Sequence, residues 1–132
     1  MPYTVRVRDR CMYSHSLKFG DDAPFRTGCT AVVDATFTGP TLTADGVLVD
    51  ITVAQAVLRE VLAKYDHADL DNEPDFAGKN TTVEVVAAVV HAHFVASIKH
   101  RGWTGAPVTR FEIEVKESDV AAASYFTEGT VF

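Results

Sequence analysis

The hydrophobic period changes twice along this chain, and few folds accommodate that order. From Tyr3 to Met12, Tyr3, Val5 and Val7 alternate with Thr4, Arg6, Arg8 and Arg10, the period of two that marks a strand with one dry and one wet face. From Ile51 to Lys64 the apolar residues Ile51, Ala54, Val57, Leu58, Val61 and Leu62 recur instead every three or four positions. A longer helical run, from about Thr82 to Gly102, carries Val83, Val86, Val89, Val90, Phe94 and Ile98. Alternation returns at Thr109–Val115, where Phe111, Ile113 and Val115 interleave with Arg110, Glu112 and Glu114. Gly28–Gly39, rich in β-branched and aromatic residues, adds a second strand; a short one is expected at Gly46–Val49 and a last one within Tyr125–Phe132. Ser14–Arg26, with Gly20-Asp21-Asp22-Ala23-Pro24, reads as a loop, and Tyr65–Gly78 as an acidic irregular segment. Strands at both ends with two helices between them predict an α+β fold, an antiparallel sheet with both helices on one face.

With 132 residues, 47% of them apolar, the chain has material for one core and not for two, so residues 1–132 read as a single domain. Twelve Lys and Arg against eighteen Asp and Glu leave a formal charge of −6, which argues against a nucleic-acid or anionic-lipid partner. No apolar run approaches the roughly 20 residues of a membrane span, and Met1–Arg6 lacks the apolar stretch of a secretory signal. A cytoplasmic protein with free thiols at Cys11 and Cys29 is the expectation.

Local signals add detail. Asp50 stands where a helix N-cap belongs. Thr81 and Glu84 have the spacing of a capping box, so a structural role for Glu84 stands beside ligand contact, and Thr82 in the same first turn has the same two readings. His91 and His93 are two apart on a helix, about 200° of rotation, which points their rings to opposite sides and predicts surface histidines rather than a chelate; His100 reads the same way.

Five fragments, in order and in register, carry a resemblance: Tyr13-Ser14-His15, Gly46-Val47-Leu48-Val49-Asp50, Tyr65-Asp66-His67-Ala68-Asp69-Leu70-Asp71, Thr81-Thr82-Val83-Glu84 and Val115-Lys116-Glu117-Ser118. From Cys11 through Tyr125 the chain resembles the 6-pyruvoyltetrahydropterin synthase and 6-carboxytetrahydropterin synthase family. The resemblance implies the tunnelling fold, a four-stranded antiparallel sheet with two helices on one side, whose subunits join edge to edge into a barrel. It also implies a homo-oligomer, a trimer or a hexamer, with a small-molecule substrate bound between subunits.

It implies roles as well. Asp66 and His67 match the family's proton-transfer pair, in which the Asp fixes the tautomer of an acid/base His. Glu117 matches the ring-binding Glu. The cyclic N–H and exocyclic NH₂ of a pterin or guanine fit one carboxylate, and Glu117 keeps the inward phase of Phe111, Ile113 and Val115, where a charge is costly unless paired. Thr82 and Glu84 match further substrate-binding positions. The departures fall on the metal site: where the family has His-Gly-His the chain has Thr27-Gly28-Cys29, and Ala23 takes the place of the family's Cys. His15 and Cys29 remain as a two-ligand remnant, short of a zinc set. The expectation is therefore no cofactor and lyase- or cyclase-type acid/base chemistry on a pterin-like heterocycle or a replacement substrate. The alternatives are a non-catalytic pterin- or purine-binding module, a zinc-dependent synthase with altered ligands, and a Cys29 nucleophile activated by His15.

Overall fold

The computed structural model describes residues 1–132. Strands β1 (Tyr3–Leu17) and β2 (Phe25–Gly39) form one long antiparallel hairpin, paired from Tyr3 with Gly39 to Leu17 with Phe25. Helix α1 (Ile51–Ala63) follows, then a two-residue strand β3 (Ala68–Asp69) parallel to β1 at Tyr13 and Ser14. Helix α2 (Val83–Arg101) leads to the hairpin of β4 (Arg110–Lys116) and β5 (Ala122–Glu128). The sheet order is β3-β1-β2-β4-β5, so the expected four antiparallel strands are joined by a fifth, parallel one. Both helices pack on the same face, α1 over β1 and α2 over β4 and β5.

That face holds the core. Val7, Cys11, Tyr13, Ala31, Val33, Ala35, Phe37, Phe111, Ile113 and Val115 point into it from the strands, and Val57, Leu58, Val61, Phe94 and Ile98 meet them from the helices. By length and composition α2 could cross a membrane, but here it is the core helix, with Val86, Val90, Phe94 and Ile98 buried. On the opposite face Asp34 is 2% exposed. Arg8 donates to it from Nε (2.7 Å) and Nη2 (3.0 Å), and Lys116 from Nζ (3.0 Å). Burial pushes the Asp34 carboxyl up, but these bonds outweigh it and hold it below the ordinary carboxylate range.

Several expectations are corrected. Ser14–Leu17 and Phe25–Arg26 are strand rather than loop, because His15 turns inward in phase with Cys11 and Tyr13 and its cross-strand partner Thr27 continues the ladder. Gly46–Val49 is not a strand. Gly46 has φ +80° in a turn closed by bonds between Thr43 and both Gly46 and Val47, and this turn delivers Leu48 and Val49 into the core. The last strand ends at Glu128, and Phe132 instead stacks on Trp103, centroids 4.7 Å apart. Asp50 does cap α1, accepting from the Thr52 and Val53 amides. The cap of α2 is Thr82, bonded to the Val85 amide, which shifts the frame by one and removes the Thr81–Glu84 box. His91 is not a surface residue: it is buried beneath β5, its Nε2 3.3 Å from Thr127 Oγ1, while His93 on the other side of α2 meets Asp75 at 3.2 Å.

Candidate functional site

After α1 the chain turns back to β1, and the turn is built on Asp66 and His67. Asp66 Oδ1 accepts the Met12 amide at 2.9 Å, and the His67 amide donates to the Met12 carbonyl. His67 is the single non-glycine residue with positive φ, at +60°, a conformation that costs an L residue about 1–2 kcal/mol. Its Nδ1 lies 3.1 Å from Asp66 Oδ2, and the two side chains are 74% and 41% exposed. The Met12 amide, followed by His67, holds the Asp66 carboxyl below its ordinary value, so it remains an anion that orients the imidazole. With Nδ1–H donated to Asp66, Nε2 is the ring nitrogen left able to accept a proton or a hydrogen bond.

The same segment is stitched to the hairpin by side chains. Arg26 donates to Asp69 (2.9 Å), Asp71 (3.1 Å) and Ser14 (3.2 Å), and Asp71 accepts the Ser16 amide. The acidic segment is thus fixed on β1 and β2 rather than merely solvated. Asp75 is held instead by the end of α1 and by α2, accepting the Tyr65 hydroxyl at 2.6 Å and meeting His93 at 3.2 Å.

Inside the sheet, His15 and Tyr13 lie two residues apart on the inner face of β1, rings edge-on with centroids 5.2 Å apart. His15 is 2% exposed and Tyr13 4%. His15 Nδ1 lies 2.9 Å from the Thr81 carbonyl and 3.0 Å from its hydroxyl, which places the proton on Nδ1. Nε2 then carries a bare lone pair with no hydrogen-bond partner, while the Tyr13 hydroxyl lies against the Cys29 thiol. Cys29 pairs with Tyr13 across the strands and is half-buried. Burial raises its thiol pKa, and the nearby Glu117 carboxylate adds to the rise against the opposing Tyr13 hydroxyl, so the environment does not favour the thiolate a nucleophile needs. Cys11 is pushed up to about 12, chiefly by burial.

Glu117 is exposed rather than buried as its phase suggested, because β4 ends at Lys116 and the Glu117 amide already closes the turn onto the Ala121 carbonyl. Its carboxylate nevertheless acts on Tyr13 and Cys29, both of whose pKa values burial raises first and Glu117 raises further. Thr82 is occupied as the cap of α2, and Glu84 is exposed in the first turn. The sequence alone assigns no site role to Tyr13, Thr81 or the Met12 backbone; continuing the β1 alternation through His15 would have turned Tyr13 inward, whereas Thr81 and Met12 are brought in by tertiary contacts. The structure groups Glu117, Cys29, Tyr13 and His15; Asp66–His67 joins the other edge of β1 at Met12, beside Tyr13, and is set apart from Glu117 by β1 and β2. From β3 to β4 is three strand spacings, about 14 Å of sheet.

A resident zinc does not fit this donor set. No three His, Cys, Asp or Glu side chains converge, and Thr27, opposite His15 on the ladder, supplies no imidazole.

Comparison with known proteins agrees with this architecture. The family model described as 6-pyruvoyl tetrahydropterin synthase matches residues 4–128. No curated protein matches in sequence. Among solved structures, 6-pyruvoyltetrahydropterin synthase from Plasmodium vivax superposes with a TM-score of 0.79 at 16% identity, covering 97% of this chain and 99% of that one. The Caenorhabditis elegans 6-pyruvoyl tetrahydropterin synthase gives 0.77 at 16% identity, with 98% and 96% covered. An uncharacterized protein from Wolinella succinogenes gives 0.72 at 14%, with 97% and 99% covered.

Proposed function

Since the chain belongs to the 6-pyruvoyl tetrahydropterin synthase family, we propose that it binds a pterin-like heterocycle through Glu117 and acts on it by lyase- or cyclase-type proton transfer through His67, without zinc. The observation that carries this reading is the Asp66–His67 turn. Two bonds to Met12 and one between the side chains hold an exposed imidazole in a strained conformation, and such strain persists where the surrounding structure imposes it. Asp66 keeps the proton on Nδ1, so Nε2 takes a proton from the ligand and returns it. The Glu117 carboxylate accepts the ring N–H and the exocyclic NH₂ together, which fixes the ligand in plane. Because the sheet separates Glu117 from His67 within one chain, a single ligand meets both only across a subunit boundary. β3 covers just Tyr13 and Ser14 of β1, and β5 forms the opposite edge, so two strand edges are available for joining copies into a trimer or hexamer.

The same separation supports a second reading, a binding module that retains Glu117 without turnover. Calorimetry with a pterin tests the shared claim. Glu117→Gln exchanges one acceptor for a donor facing a donor and is expected to weaken binding by about 2–3 kcal/mol, the scale of a charge-assisted bond. Unchanged affinity refutes ring recognition at Glu117. The two readings then part at His67→Ala, which cuts turnover by about 10²–10⁴ in an enzyme and changes nothing in a binding module.

A further inference from the structure

We infer that β5 is an edge strand that acid releases, with the buried imidazole of His91 as the trigger. The inference is independent of ring recognition at Glu117. β5 pairs with β4 on one side only, and none of its residues is buried, so little apolar surface holds it down. Ala123, Tyr125 and Thr127 share the inner face with Val115, Ile113 and Phe111 and meet α2, where His91 is 5% exposed. The Tyr125 ring stands edge-on to the imidazole with centroids 4.9 Å apart, and Thr127 Oγ1 lies 3.3 Å from Nε2. The Phe111 ring closes the seat from β4, centroids 5.1 Å apart. The strand therefore rests on a histidine, not on an aliphatic core.

Nothing in this seat supports a charge on the ring. No carboxylate pairs with it. Lys99 of α2 and Glu128 of β5 line the groove beside His91, but Glu128 is 3.4 Å from Arg110 and Lys99 is a like charge. On β4, Arg110 and Glu112 pair with each other on the opposite face of the sheet, and on the far side of α2 His93 meets Asp75. Tyr125 offers only its ring, and Thr130 and Val131 bring no charge. A protonated imidazole here is a buried cation without a counter-ion. Burial accordingly holds the His91 pKa below its ordinary value, against a smaller opposing pull from the Phe111 backbone. Once β5 lifts, the ring meets water and takes its proton at about 6.5. The lifted form binds the proton more readily, so the seated form is fully favoured above about pH 6.5 and loses ground as pH falls below it. Release removes one of the two open edges of the sheet.

Amide hydrogen exchange of the full-length protein, followed by mass spectrometry and corrected for the intrinsic effect of pH on exchange, tests this. Between about pH 7 and 5.5, wild-type protection in Ala122–Glu128 should fall by up to about eightfold, the ceiling one proton sets when the released ring titrates near 6.5, while the β1–β2 hairpin is unchanged. His91→Gln keeps a polar group toward Thr127 and takes up no proton, so it should remove the pH dependence. A fall below about twofold, an equal fall across the β1–β2 hairpin, or a fall that persists in His91→Gln overturns the inference. If His91→Gln does not fold, the wild type still decides: the His91 imidazole carbon signals should titrate below the ordinary value of about 6.5, and titration at or above it overturns the trigger.

Discussion

Replacing His67 by glycine should make the protein more stable while removing the side chain proposed to transfer the proton. The left-handed backbone at φ +60° costs an L residue about 1–2 kcal/mol, which glycine does not incur. Against this, glycine adds about 0.5–1 kcal/mol of unfolded-state entropy. Packing losses are small because the imidazole is 74% exposed, its hydrogen bond to Asp66 is open to solvent, and the backbone bond to Met12 survives. The net expectation is a gain of about 0.5–1 kcal/mol, or about 2–4 °C in Tm for a protein of this size. Urea titration followed by Trp103, the single tryptophan, reads it directly, because Trp103 stacks on Phe132 only in the folded state. His67→Ala keeps a Cβ and hence the strain, so it should show no gain. A His67→Gly protein less stable than both wild type and His67→Ala would refute the claim that the turn is strained.

Asp34→Ala should cost about 2–3 kcal/mol in the same titration, below the usual value for breaking a buried pair because Arg8 and Lys116 retain solvent access; a loss under about 0.5 kcal/mol contradicts it. Since the Asp34 carboxyl is held below its unfolded value of about 3.9, its stabilisation is present above that pH and lost as pH falls through the folded value; Asp34→Asn should flatten the acid limb below about pH 4. Light scattering at micromolar concentration should give a multiple of 14.4 kDa, and a mass of 14.4 kDa itself would refute assembly through the open edges of β1 and β5.

The parts of the fold legible in the sequence are those whose signal is periodic or local. The alternation of Tyr3, Val5 and Val7 and of Phe111, Ile113 and Val115 identified two strands, and Asp50 marked its helix end by cap chemistry alone. What escaped depends on partners distant in sequence. The ends of the long hairpin are Ser14, His15 and Ser16 opposite Gly28, Thr27 and Arg26, residues with little strand preference that are held by cross-strand pairing and by Arg26 on Asp69 and Asp71. His91 lies in an apolar helix whose two faces are nearly alike in hydrophobicity, so only the position of β5 decides that it is buried. Thr81 looked like a cap by spacing, yet tertiary contact with His15 claims it and passes the cap to Thr82. Asp66 and His67 were found through the family motif. Their linkage to Met12 and the backbone strain are visible only in three dimensions.

The central claim, metal-free proton transfer by His67 on a ring held at Glu117, is tested most directly by deuterium exchange. EDTA-treated protein is incubated in D₂O with a C6-hydroxyalkyl dihydropterin, and loss of the C–H signals of the hydroxyalkyl substituent is followed by NMR. Wild type should catalyse exchange, His67→Ala should slow it by about 10²–10⁴, the usual worth of a positioned acid/base, and Glu117→Gln should raise the ligand concentration required. Exchange that persists undiminished in His67→Ala, or that vanishes on EDTA treatment and returns with added zinc, would contradict the account.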